Sequence, residues 1–324
     1  MSSARTGLVS LFGLDPQTYR PHAIHSGAAT YGETNCYADV LIELLHARGD
    51  EPLAVMGSAL RLDFEGDQWT FFKPAPEDLE LLLGVDVHEM QPYRPLPEQI
   101  AEQLANGRTI IVELDSFHLP DTASTAYGRD HVKSSIAAES IDLDGELLRY
   151  FHNAGYHELR GEDFREVFRV ARELSPDVLP PYTELVRFDA GPRLTGDELR
   201  AAAAERVRAH LARRPADNPF PRFGAALQER LPVLLEGDAQ AYHDYAFATV
   251  RMVGAGFELC ALLSQWLLGD GGSPAADALR RIVDDAKVLS FKLARRRAFD
   301  PEPAITALAG AWDEAMGRLD DALA

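Results

Sequence analysis

The chain has 324 residues, 46% hydrophobic and 26% charged, the balance of a soluble globular protein with room for one large domain or two moderate ones. A formal net charge of −19 argues against a nucleic-acid partner, because phosphate binding needs clustered Lys and Arg. Two cysteines, Cys36 and Cys260, form no disulfide framework and fit a reducing, cytoplasmic setting. The start, MSSARTGLVSLFGLD, has no signal-peptide pattern, and no apolar run nears the roughly 20 residues that span a bilayer, so no membrane partner is expected.

In chain order, the first candidate element is a helix from Tyr37 to Arg48, with apolar residues at 37, 40, 41, 44 and 45 on one face. Thr34 or Asn35 can cap it, which leaves Cys36 in the first turn. Leu96 to Ala105 is a second helix, stopped by Asn106-Gly107. "RTIIVELDSF", Arg108 to Phe117, reads as a buried strand rich in β-branched residues. "HVKSSIAAESIDLDGELLRYFHN" reads as two strands around an Asp-Leu-Asp-Gly turn. Beyond residue 190 the texture changes. Thr195 with Glu198 makes a capping box, and long helical patterns follow at about 197–213, 222–236, 239–268, 274–298 and 302–323. The expectation is an α+β domain over 1–190 followed by an all-α helical bundle over 191–324. Charge divides along the same line. Residues 1–194 carry 16 Lys/Arg against 32 Asp/Glu, and residues 195–324 carry 16 against 19, including the run Arg295-Arg296-Arg297. That run is either a solvated helix end that suits the macrodipole or a place where an acidic partner meets least repulsion.

The chemistry centres on Cys36. At a helix N-terminus, orphan N–H groups and the macrodipole favour negative charge, on a thiolate or on the oxyanion of a tetrahedral intermediate. The alternative is a small apolar residue packed in the core, which is how Cys260, inside "GFELCALLSQW", reads. A thiol nucleophile needs an imidazole and an Asn or Asp to orient it. His131 opens the first hairpin strand and Asn153 ends the second. A symmetric hairpin centred on Asp144 would set His131 opposite His157, so pairing with Asn153 requires a bulge or offset. His118, His152 and His157 are rival imidazoles, with His152 expected on the strand face opposite Asn153. A zinc site from Cys36, His118, His131 and Asp115 or Asp121 lacks any short-spaced ligand pair. No phosphate-binding glycine loop and no G-x-S-x-G elbow is present.

"ETNCYADVLIELLHARG", "DFEGDQWTFFK", "VELDSFHLPDT", "YFHNAGY", "YAFATVRMVGAGFEL", "WLLGD" and "KLARRRAFD" resemble the bacterial family of domain of unknown function 1839 over nearly the whole chain. The order of the Cys helix, "GSALRLDFEG", "IAEQLANGRTIIVELDSFHLP" and a His-led hairpin is more distantly similar to the butirosin-pathway acyltransferase family. That resemblance implies a papain-like fold and transfer of an acyl group from a carrier-protein thioester to an amine. It places Cys36 as nucleophile, His131 as base, and Asn153 where that family has Asp. The glutamine upstream of the nucleophile in papain-like proteases has no counterpart. Oxyanion and supporting roles therefore fall to the backbone, Asn35, His118 and Asp115. The first family's association with carrier proteins and amino-acid ligases implies an aminoacyl donor on an acidic carrier. The phosphopantetheine would be carried by that partner, with a small molecule or peptide as acceptor and no cofactor bound to the chain. A hydrolase, either a thioesterase or an amidase, shares the first half-reaction. A non-catalytic scaffold is the third reading, with Tyr242, Arg251 and Glu258 on one long helix as candidate substrate-binding residues. Arg251 and Glu258, seven residues apart, share a helix face and must be paired or exposed.

Overall fold

The computed structural model describes residues 7–25, 29–170 and 178–324, so residues 1–6 of the amino-terminal stretch read above lie outside it. The chain forms two compact units whose segments interleave. The first takes Met1–His25, Cys36–Glu51 and Leu79–Arg193, and the second takes Ser26–Asn35, Pro52–Asp78 and Leu194–Ala324. The helical unit thus begins its last segment near the expected boundary, but it also claims 26–35 and 52–78 from the region read as one α+β domain.

The first unit is built on an antiparallel sheet. Its strands are β1 (Val9–Ser10), β4 (Asp86–Met90), β5 (Thr109–Asp115), β6 (Lys133–Asp142), β7 (Leu147–His152), β8 (Gly155–Arg160) and β9 (Thr183–Arg187). The order is β4-β9-β5-β6-β7-β8, with β1 added to β6. Asp142 makes the β6–β7 turn by accepting from the backbone N–H groups of Asp144 and Gly145. One sheet face carries the core of Ile110, Val112, Leu114, Ile136, Leu148 and Tyr150, covered by α3 (Leu96–Ala105) and α4 (Glu162–Val167). Helix α1 (Cys36–Arg48) packs across β6 and β7, and α2 (Pro76–Leu83) precedes β4 in the chain. Every residue of α1 from Tyr37 to Leu45 is buried, so the helix is enclosed on all sides rather than on the single apolar face its pattern predicts.

The second unit has a short ribbon, β2 (Phe64–Glu65) with β3 (Gln68–Trp69), and the helices α5 (Gly196–Leu211), α6 (Phe220–Glu236), α7 (Ala239–Ala246), α8 (Met252–Leu268), α9 (Ser273–Ala294) and α10 (Glu302–Leu323). Phe64, Trp69, Phe220, Phe223 and Phe257 form its aromatic centre. The expected single helix over 239–268 is interrupted by a π segment, Phe247–Arg251. There the Thr249 hydroxyl donates to the Tyr245 carbonyl, a local bond that competes with the helix ladder. Helix α9 stops at Ala294, four residues before the expected end, where Arg296 takes the left-handed conformation with φ 51°. Although no uninterrupted apolar run is long enough to span a bilayer, a window within Gln240–Ala294 is apolar enough by composition. It is 67% buried inside the fold, as a core helix would be.

Candidate functional site

Cys36 is the first residue of α1 and is only partly buried. Its Sγ lies 3.7 Å from the Ser135 Oγ on β6. Among the described residues this hydroxyl is its hydrogen-bonding neighbour, and no sequence signal had singled it out. The helix carries two carboxylates one turn apart, Asp39 and Glu43, both fully buried. Such groups must be paired. His25 supplies the charge, with its Nε2 3.3 Å from Asp39 and its Nδ1 in a short hydrogen bond to Glu43. Tyr19 donates its hydroxyl to Glu43, and the His22 backbone N–H donates at 3.0 Å. Burial alone would pull the His25 pKa down, but the hydrogen bonds and charges of the two acids outweigh it and push it up to about 9. Burial likewise favours a neutral Glu43, yet His25 and Tyr19 hold its pKa below the usual value. An imidazolium between two carboxylates therefore sits inside the unit, on the same helix as the thiol. The sequence signal for this cluster is the spacing of Asp39 and Glu43 on an otherwise apolar helix, after a stretch holding Tyr19, His22 and His25.

His131 lies just before β6 begins. Its Nδ1 is 2.6 Å from Asp115 Oδ2, its ring stacks on Phe117 at 4.5 Å, and its side chain is 70% exposed. Asp115 also caps the turn that follows β5 by accepting from the Phe117 N–H. Both residues line a cleft of about 830 Å³, with Glu113, His118, Arg169 and Pro180; Cys36 is not among its lining residues. Asp115 pairs with Lys133 in the ladder and Glu113 with Ser135. His131 is thus four residues before the hydroxyl that meets the thiol, about 13 Å of extended chain. The structure joins His131 to Asp115 and Cys36 to Ser135, and leaves these as two separate pairs.

The register also places Asn153 away from His131. A bulge between Ala138 and Ser140 shifts the β6–β7 ladder by one residue, and the open end reads Ile136 opposite His152. One step further, Asn153 falls level with Ser135 rather than with His131. Asn153 also has a backbone duty, since it opens the tight β7–β8 turn with φ 47°, a conformation Asn tolerates better than most residues. His152, on the other face as its position predicts, is buried. Its Nε2 is 2.5 Å from Ser134 Oγ and its Nδ1 is 2.5 Å from Asp121, whose second oxygen accepts from Tyr150 at 2.5 Å. Burial would raise the Asp121 pKa, but the hydrogen bond and charge of His152 hold it low. Among the described residues no three His, Cys, Asp or Glu side chains gather to hold a metal ion.

Residues 20–188 match the model of the DUF1839 N-terminal domain, and residues 196–321 match that of the DUF1839 C-terminal domain. The chain belongs to the DUF1839 family. A search of the curated proteins found no match.

The candidates within the helical unit bind the chain itself. Glu258, on α8 of the DUF1839 C-terminal match, accepts from the backbone N–H groups of Thr30 and Tyr31 at 2.7 Å each. Arg251 donates to the Glu33 carbonyl at 3.2 Å and lies 3.4 Å from its carboxylate. Asn35 donates its side-chain amide to the Phe72 carbonyl at 3.1 Å. Tyr242 donates to the Ser290 carbonyl at 3.3 Å. Arg251 and Glu258 thus anchor the segment 30–33 that leads to Cys36, Arg251 beside the Glu33 carboxylate and Glu258 on two backbone N–H groups.

Proposed function

We propose that this DUF1839 protein is a cysteine-dependent acyltransferase of papain-like design, working in the cytoplasm on an aminoacyl thioester carried by the phosphopantetheine arm of an acidic carrier protein. The observation that carries the reading is the position of Cys36: a partly exposed thiol at the first residue of a helix locked in place by buried ion pairs, with a hydroxyl beside it. The Cys36 sulfur attacks the thioester carbonyl, forming an acyl-cysteine and breaking the bond to the carrier sulfur, which leaves with a proton as a thiol. An amine of a small molecule or peptide then attacks the acyl-cysteine, the Cys36 sulfur leaves, and a new amide remains. Exchange of one thioester for another is nearly isoenergetic, so no outside energy source is needed. His131, oriented by Asp115, is the proton carrier in this scheme. Its reading requires the segment around His131 to close on the thiol when the donor is bound, since general-base contacts often form only in the complex.

Intact-mass measurement after incubation with an aminoacylated carrier tests the reading. The protein should gain one acyl group, and Cys36→Ala should gain none; an unchanged wild-type mass, or a gain that survives Cys36→Ala, sinks it. Release of free amino acid without an acceptor product would assign a thioesterase or amidase instead. The separation of the His131–Asp115 pair from the Cys36–Ser135 pair favours a second reading, a carrier-binding scaffold without catalysis. In that case carrier binding survives Cys36→Ala and no acyl-protein forms.

A further inference from the structure

The helical unit collects exposed aromatic side chains and cations around the end of α9. Val288, Phe291 and Arg295 follow at three- and four-residue spacing and so share a helix face. Val288 is 48% and Phe291 58% exposed. The Lys287 Nζ stands 5.8 Å from the centre of the Phe291 ring and 5.3 Å from that of Tyr31. Phe247, 53% exposed, belongs to the π segment packed against α9, with the Arg251 guanidinium 5.5 Å from its ring. Lys292 lies 5.9 Å from the Phe299 ring, and Arg295, Arg296 and Arg297 are exposed beyond the helix end. Asp284 and Asp285 lie a turn further back on α9, Asp300 follows the arginine run, and Arg296 also donates to the Gly237 carbonyl.

We propose that this ridge docks an acidic, helix-bearing protein whose apolar side chains cover Phe247, Val288 and Phe291 and whose carboxylates meet Lys287, Lys292 and Arg295 to Arg297. Two observations select the occupant. The cations form a local cluster on a chain of net charge −19, so an acidic partner is steered to this end and repelled elsewhere. The exposed phenylalanines beside the cations call for desolvation by apolar side chains, which a nucleic-acid backbone does not offer. The proposal takes the partner's identity as a carrier protein from the transferase reading, but the surface is argued from its own residues.

The probe is a fluorescently labelled, phosphopantetheinylated acidic carrier protein, titrated with the full-length chain at low and high salt. Binding should be saturable, weaker at high salt, and reduced about tenfold or more by Phe247→Ser with Phe291→Ser, and equally by Lys292→Glu with Arg295→Glu. Affinity within threefold of wild type for both pairs overturns the proposal. So does binding of anionic phosphatidylglycerol vesicles with the same mutational sensitivity, which would make the ridge a membrane surface. A concentration-dependent dimer, seen by light scattering and abolished by the same changes, would make it a self-association face and overturn the proposal as well. Acylation of Cys36 by a soluble aminoacyl N-acetylcysteamine thioester checks the chemistry apart from docking. The ridge variants should be acylated like wild type. Failure of acylation with mutation-sensitive carrier binding removes the transferase reading and leaves the docking surface, and the reverse result removes the surface alone.

Discussion

Helices α1 and α8 are both largely buried, and each carries one of the two cysteines, yet the two thiols face different chemistry. Cys260 sits mid-helix at 0% exposure, where burial pushes its thiol up well beyond the usual range. Cys36 stands at the end of α1, partly exposed and beside a hydroxyl. The interiors differ too. The buried residues of α8 are almost wholly apolar, whereas α1 is fixed by an imidazolium between two carboxylates. The comparison teaches that the surroundings of a thiol follow its place on the helix, because only the first turn has backbone N–H groups without a helical partner.

Alkylation with iodoacetamide under native conditions sharpens this contrast most. Cys36 should be modified directly, while Cys260 reacts only through opening of its unit. Unfolding free energies of about 5–15 kcal/mol imply a rate ratio of about 1,000-fold or more. Peptide mapping showing comparable rates would break the comparison.

Next in size is removal of the buried cation. His25→Ala leaves Asp39 and Glu43 without their partner and should destabilise the protein by ~3–5 kcal/mol, read from urea unfolding. A loss under 1 kcal/mol would mean that α1 is held by packing alone.

The same cluster sets a pH window. His25 is raised from 6.5 to about 9, so its contribution is fully present below about 6.5 and is lost as pH rises through about 9. Glu43 is lowered from its ordinary 4.5, so its contribution is present above that value and is lost as pH falls through the lowered one. Unfolding midpoints should therefore fall on both sides of a plateau between about pH 4.5 and 6.5, and His25→Gln should flatten the alkaline side. An alkaline limb unchanged in that variant would assign the loss to other groups.

The smallest effect belongs to Ser135→Ala. It removes a long thiol–hydroxyl contact and should cost about 0.5–1.5 kcal/mol or less in stability, while changing the Cys36 alkylation rate about two- to threefold. No change in that rate would mean that the hydroxyl plays no part at the thiol.

Much of the local structure was legible in the residues. Leu96–Ala105 is both the stretch marked by its Asn106-Gly107 stop and the observed helix. The Asp-Leu-Asp-Gly turn lies between β6 and β7 as read, and the helices of the second half fall close to their expected ranges. Turn residues and hydrophobic periods act over a few residues and so are visible in one dimension, although Thr195 starts α5 without the side-chain cap hydrogen bond its spacing to Glu198 predicts. The candidate site was legible only in pieces. His131 and Cys36 are prominent residues, but the register at the open end of β6 and β7 sets Asn153 level with Ser135 rather than His131, and the packing of α1 sets Ser135 beside the thiol. Asn153 looked like an orienting amide, and its left-handed turn gives it a conformational reason to be Asn.

The sequence by itself determined helices α1 and α3, the strand over 108–117, the β6–β7 hairpin and most of the later helices, the uneven charge, and the placing of one cysteine at a helix start and the other inside one. It also carried the motifs of the DUF1839 family along nearly the whole chain. Only the tertiary structure decided that α1 is enclosed on every side, that Arg251 and Glu258 hold segment 30–33, and that the His131–Asp115 and Cys36–Ser135 pairs stand apart. The physical reason is that strand register and the pairing of buried charges join residues distant in the chain. A one-residue shift in a ladder moves a side chain to the other face, and no local pattern records it.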